Sequence, residues 1–170
     1  MMDYSQWENT VPEALKRDSV WKIEAYRLAE FVADVAWPDV TVLMRDRRTL
    51  DLSGQLYEAL GSIGANLAEG YSRGSNKDRV RFYEYSLGST RESKSWYFKG
   101  RHVLGQSVLE HRLKLLNQIT WLLLKMIPEQ RGYAIREEGA VYETGTAADE
   151  AILPLPAEEF DAVLKNIPLP

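Results

Sequence analysis

The stretch SVLEHRLKLLNQITWLLLKMIP, residues 107–128, decides the fold. Leu109, Leu113, Leu116, Ile119, Leu123 and Met126 recur at steps of three and four, the spacing of one helix face, whereas a strand would alternate every second residue. Ser107 supplies an N-cap and Pro128 is expected to stop the helix. Upstream, Ser75 or Asn76 caps a helix that runs to about Arg101 or Val103 and closes at Gly105; at a rise of about 1.5 Å per residue it is roughly 40 Å long. Before it, Asp51 or Ser53 opens a helix with Leu56, Leu60, Ile63 and Leu67 on one face, ending near Gly70 in the turn-rich run YSRGSN, residues 71–76. The first segment is capped at Asp18-Ser19, carries Trp21, Ala25, Leu28, Val32 and Val35 as a stripe, and is expected to stop or kink at Pro38.

Each apolar stripe needs a partner, and short connections make neighbours run opposite ways. The pattern therefore predicts an all-α chain: an antiparallel up-and-down four-helix bundle over residues 19–127, an N-terminal segment 1–18, and an acidic, partly extended tail 128–170. A chain of 170 residues with 45% hydrophobic content is long enough to bury a core without staples. Zero cysteines exclude thiol catalysis, disulfides and cysteine-ligated metals. No apolar run nears the roughly 18 residues of a membrane span, and the start MMDYSQWENTVPE has no leader character, so a soluble cytoplasmic protein is expected.

Charge is divided unevenly. The formal charge is -4, yet residues 129–170 carry nine acids against three bases, so the tail is -6 and the rest of the chain +2. Within the tail, Pro156 and the residues after it read as a short helix with acids in the first turn, Lys165 at the end, and Phe160, Val163 and Leu164 on one side. Ile135, Val141, Tyr142, Ile152 and Ile167 add apolar surface, so the tail is expected to dock on protein, with Phe160, Val163 and Leu164 as the partner-binding residues, or to lie over basic surface elsewhere. From Gly70 to Arg101 there are eight bases against three acids. At 100° per residue, Lys77, Arg81, Arg91 and Lys99 fall within 40° of one line, a cationic stripe. Such a stripe is either a solvated helix face or a phosphate-binding one. Tyr83, Tyr85, Trp96, Tyr97 and Phe98 are core or subunit contacts, or base-stacking rings if exposed.

The motif Ser62-Ile-Gly-Ala-Asn-Leu-Ala-Glu-Gly-Tyr-Ser-Arg-Gly-Ser, followed by Gly88-Ser89 and Glu92, has a physical reading of its own. Gly61, Gly64, Ala65 and Ala68 on the second helix and Ser86, Ser89 and Ser93 on the third form two small-residue faces able to approach closely. Asn66 and Glu69 are placed to bond into the turn at Arg73 or across to Ser89, a polar clasp between the two helices. The same residues carry a resemblance. Asn66, Glu69, Gly70, Arg73, Gly74, Ser75, Gly88, Ser89 and Glu92, with the Val20-Trp21-Lys22 start, make residues 19–127 resemble the four-helix bundle proteins encoded within intervening sequences of bacterial 23S rRNA genes. Related bundles include the accessory protein of diversity-generating retroelements, a pentameric ring that serves a reverse transcriptase. The resemblance implies a ring-forming, non-enzymatic helper with affinity for RNA or DNA and no cofactor. Tyr57 and Glu58 stand where family members usually carry arginine, which moves any nucleic-acid role away from that part of the second helix.

Enzyme templates do not fit. Paired Glu-x-x-His motifs for a di-iron site are lacking, since Lys99 and Val108 precede His102 and His111 by three. A bundle ribonuclease would need arginine where Tyr97 and Gln106 stand, and no Gly-rich phosphate loop follows a strand. His111 reads as a surface residue. The expectation is a homo-oligomeric adaptor that binds RNA or DNA through Arg73, Lys77, Arg81, Arg91 and Lys99 and assists a nucleic-acid enzyme. The alternative is a protein-interaction scaffold that acts through its tail.

Overall fold

A computed structural model describes residues 3–131 and 153–170, and every regular element among them is helical. Ile135, Val141, Tyr142 and Ile152, with the tail acids from Glu137 to Glu150, lie outside the described residues. The elements are α1 (Tyr4–Thr10), α2 (Glu13–Lys16), a 3₁₀ turn at Ser19–Lys22, α3 (Glu24–Leu43), α4 (Leu50–Tyr71), α5 (Asn76–Leu104), α6 (Gln106–Arg131) and α7 (Ala157–Lys165). Each of the four long helices packs on the next, and α3 also packs on α6 and α5.

Local chemistry sets the two ends of α5 where the sequence puts them, but α4 begins at Leu50 after Thr49 and α6 at Gln106, so Asp51, Ser53 and Ser107 lie inside helices and do not cap them. Ser75 accepts the Asp78 amide at 3.1 Å and so caps α5. Gly105 takes φ +84°, a left-handed conformation that lets α6 begin one residue after α5 ends. Asp18 caps the 3₁₀ turn rather than α3 itself. Both prolines expected to stop helices lie inside them, Pro38 in α3 and Pro128 in α6. Each removes one backbone donor. At Pro38 the carbonyl that loses its bond belongs to Asp34, an exposed residue, and Pro128 falls in the last turn.

The core takes Leu56, Leu60, Ile63 and Leu67 from α4, Leu28, Phe31, Val32 and Leu43 from α3, and Leu115, Leu116, Ile119 and Leu123 from α6, all at most 2% exposed. Residues 3–18 join it. Trp7 of α1 is buried, its ring 5.1 Å from Phe31 and 6.2 Å from Trp21. Nothing in the amphipathic pattern marks so short a helix in advance.

The expected small-residue faces are only partly used. Gly64 meets α3, at Ala29 and the Glu30 carboxylate, rather than α5, while Gly61 and Gly88 have open space around them. Close approach to α5 is made at Gly70, where a Cβ would lie 2.9 Å from the Tyr83 ring and 3.0 Å from Phe82 Cβ. Gly70→Ala should therefore lose about 1–3 kcal/mol to overpacking. Gly88→Ala, on the open face of α5, should gain up to about 1 kcal/mol. Urea unfolding of the two variants checks both signs; equal effects would remove the steric reading of Gly70.

Candidate nucleic-acid interface

The outward face of α5 brings the predicted cations together. Lys77, Arg81, Arg91 and Lys99 are all exposed, with Gly88 and Ser95 between them. The polar residues of Asn76–Leu104 leave this side to water because Tyr83, Ser86, Thr90, Ser93 and Tyr97 turn inward. Arg73 stands beyond the N-terminal end of α5, paired with Glu69 one helical turn back. Glu84 and Glu92 share the face and interrupt its charge.

Several of these cations lie over aromatic rings. The Arg73 guanidinium is 4.7 Å from the Phe82 centroid, Arg81 is 5.5 Å from Tyr85 and Lys99 Nζ is 4.0 Å from Trp96. Arg81 Nε also donates to the Tyr85 hydroxyl at 2.6 Å, and Trp96 Nε1 donates to Glu92 at 3.1 Å. On the other flank Arg101 lies 4.0 Å from the Phe98 centroid, and on α6 Lys125 lies 5.6 Å from Trp121. Four of these five pairs are three or four residues apart on one helix, whereas Arg73 reaches Phe82 from the turn before α5.

The motif residues divide by role. Asn66 Nδ2 donates to Ser62 O at 2.8 Å within its own helix, and Ser89 Oγ donates to Tyr85 O at 3.1 Å within α5. Neither bridges the helices. The crossing bond is made by Ser86, whose Oγ donates to Ile63 O at 2.9 Å, because Ser86 is buried and Ser89 is not fully so. Glu69 does bond into the turn at Arg73, as its position predicts. Lys94, one of the eight bases but outside the stripe, turns towards α6, donating to Thr120 Oγ1 at 2.6 Å. Burial, then repulsion by Arg91, lowers its pKa to about 8.

A second polar cluster sits in the core, where apolar residues were expected. Asp39 and Arg112 are fully buried and paired through Arg112 Nε to Oδ2 at 2.8 Å and Nη2 to Oδ1 at 3.1 Å. Tyr97 OH donates to the same carboxylate at 2.9 Å, and burial followed by the Asp39 charge holds that phenol well above its ordinary pKa. Arg112 also donates to Val35 O at 3.3 Å and to Pro168 O at 3.1 Å. Its Nη1 lies 2.7 Å from His111 Nδ1, and His111 Nε2 lies 2.7 Å from Val163 O. A guanidinium only donates, so Nδ1 accepts and the imidazole proton sits on Nε2, donating to Val163. His111 is thus a buried neutral histidine, not a surface one. Burial, then the Arg112 charge, lowers its pKa to about 4 against the weaker upward pull of the Val163 carbonyl. The signal lay in the helical period: Asp39 follows Val32 and Val35 on one stripe, and Arg112 lies between Leu109 and Leu116 on another.

The described tail is held to this cluster. Val163 and Ile167 are buried, Phe160 and Leu164 pack half-buried against the same core, the Leu155 amide donates to Gln118 at 3.3 Å, and Lys114 pairs with Glu159 at 3.0 Å. These polar contacts fall on α6, not on the cationic face of α5. Among the described residues no group of three or more His, Asp or Glu side chains is placed to hold a metal, and no helix is long and apolar enough to cross a membrane.

Comparison with known proteins adds one finding. No curated protein and no solved structure matches the chain. A family model described as 23S rRNA-intervening sequence protein matches residues 21–125, from the 3₁₀ turn through most of α6 and including the whole cationic face. Because that span is more than half of the chain, the protein belongs to the 23S rRNA-intervening sequence protein family.

Proposed function

We propose that this chain is a non-enzymatic, cytoplasmic adaptor whose antiparallel up-and-down four-helix bundle self-associates into a ring and binds RNA or DNA. Arg73, Lys77, Arg81, Arg91 and Lys99 make the phosphate contacts, in the service of a nucleic-acid enzyme such as a reverse transcriptase. The observation that carries the reading is the exposed line of cations on α5, which repeats around a homo-oligomer and multiplies a weak electrostatic attraction. Contacts between consecutive long helices support the bundle, since numbers that rise along one helix fall along the next: Ile63 with Ser86, Leu52 with Gly100, Lys94 with Thr120, Arg79 with Gln130. On this reading the bundle spans 19–127, residues 1–18 brace it, and 128–170 form the tail. Asn66, Glu69, Gly70, Ser89 and Glu92 serve structure rather than contact, whereas Gly88, with open space around it, is not needed for packing.

Self-association is supported by a groove of about 730 Å³ between α3 and α4. It is lined by Trp37, Met44, Leu50 and Tyr57, each close to half or more exposed. A pentamer is the assembly expected from the likeness to the retroelement accessory protein.

Charge reversal tests the function. The double variant Lys77→Glu, Arg81→Glu should bind a mixed-sequence RNA or DNA about tenfold or more weakly and flatten the dependence of affinity on log salt by about two counterions. Light scattering on the same samples reads the assembly. Unchanged affinity and slope would return the stripe to a solvated face and favour the protein-interaction scaffold that acts through its tail.

A further inference from the structure

Phe82, Tyr85 and Trp96 lie on one flank of α5. At 100° per residue they fall within 60° of one another, and at about 1.5 Å per residue they span about 21 Å. Tyr85 is 45% exposed, while Phe82 and Trp96 are half-buried. Each carries its own cation: Arg73, Arg81 and Lys99 respectively. The rings are held in place, Phe82 edge-on to Tyr85 at 5.8 Å, Tyr85 by Arg81, and Trp96 by Glu92. A duplex backbone asks for an unbroken basic surface, and Glu84 and Glu92 break this one. Unpaired bases stack on fixed aromatic planes with phosphate-neutralising charge close by, and on this flank each plane is held with a cation over one of its faces.

We infer that the Phe82–Tyr85–Trp96 flank of α5 is a stacking track for single-stranded nucleic acid, reading unpaired bases by their faces and admitting about four nucleotides, the low end of site sizes for single-strand binders. This rests on the nucleic-acid reading above and adds the class of ligand. Stacking accepts any base, so the track confers preference for strandedness rather than for sequence.

Full-length protein, titrated at low salt against a labelled oligothymidylate 12-mer and a 12-base-pair duplex, separates the possibilities. Tyr85→Leu and Trp96→Leu should each weaken single-strand binding about tenfold with the salt slope retained, and leave duplex binding where it was. Tyr85→Phe and Trp96→Phe keep a ring and should restore most of the affinity, which rules out misfolding as the cause. Phe98→Leu, on the opposite flank, should change neither. Equal binding of both probes with no response to the leucine variants overturns the track while leaving the electrostatic reading in place. So does an equal loss on Phe98→Leu. Binding of neither probe by the wild type, at any salt, overturns both.

Discussion

Arg112→Met should cost about 3–5 kcal/mol of folding stability, among the largest losses expected from any single side chain. The wild-type guanidinium is fully buried and answers the Asp39 carboxylate with two hydrogen bonds. Removing it leaves a carboxylate with no cation and only the Tyr97 hydroxyl as a described side-chain partner, and frees the carbonyls of Val35 and Pro168. An unpaired buried charge is far more costly than a missing pair, so the companion Asp39→Leu, Arg112→Met should recover most of the loss and can exceed the wild type. Urea unfolding of the three proteins decides the matter. A single variant losing less than about 1 kcal/mol would mean that the pair is solvated rather than sealed.

Acid should loosen the tail through His111, and the sign follows from the neutral imidazole that the docked tail requires. With the chain unfolded, His111 takes up a proton near the usual 6.5, and in the docked state only near about 4; releasing the tail lifts part of that depression by exposing the ring, while Arg112 stays beside it. Between those values the released state binds the extra proton, so docking weakens as pH falls from 6.5 to 4 and loses nothing further below that. The full window is worth about 3 kcal/mol to folding at about 1.4 kcal/mol per pH unit, and tail docking carries a part of it. Protection at residues 157–167, measured by hydrogen exchange with the intrinsic pH dependence of the amide rate divided out, should fall in the wild type from pH 6.5 to 4.5. His111→Gln can accept from Arg112 and donate to Val163, so it should respond less. Identical pH responses would remove His111 from the device and assign the change to ordinary carboxylate titration.

Much of this was legible in the residues. The three- and four-step recurrence of Leu56, Leu60, Ile63 and Leu67, and of Leu109, Leu116, Ile119 and Leu123, gave the long helices, because period alone decides which face is buried. Ser75 and Gly105 marked their boundaries by hydrogen-bonding and φ requirements that few other residues meet. Neither proline stops its helix, because a long helix packed on its neighbours tolerates the loss of one backbone bond, and a sequence does not show how much packing holds it. The cationic line on α5 was legible as spacing. Its pairing with Phe82, Tyr85 and Trp96 was not, since rotamers are set by the neighbours. Asp39, Tyr97, His111 and Arg112 come from three helices and become one network only when the chain folds, so no local pattern joins them.

The latch grips the tail by its carbonyls. His111 takes the oxygen of Val163 and Arg112 that of Pro168, so neither consults the side chain at those positions for its bond. The socket is therefore indifferent to spelling. Apolar side chains at 163 and 167 are wanted for the space beneath, but the exposed Glu158, Asp161, Ala162, Lys165 and Asn166 can be rewritten without loosening the hold. A tag, an epitope or a reporter written onto that outer face would ride on the bundle as a rigid passenger, in a place the α5 face never sees.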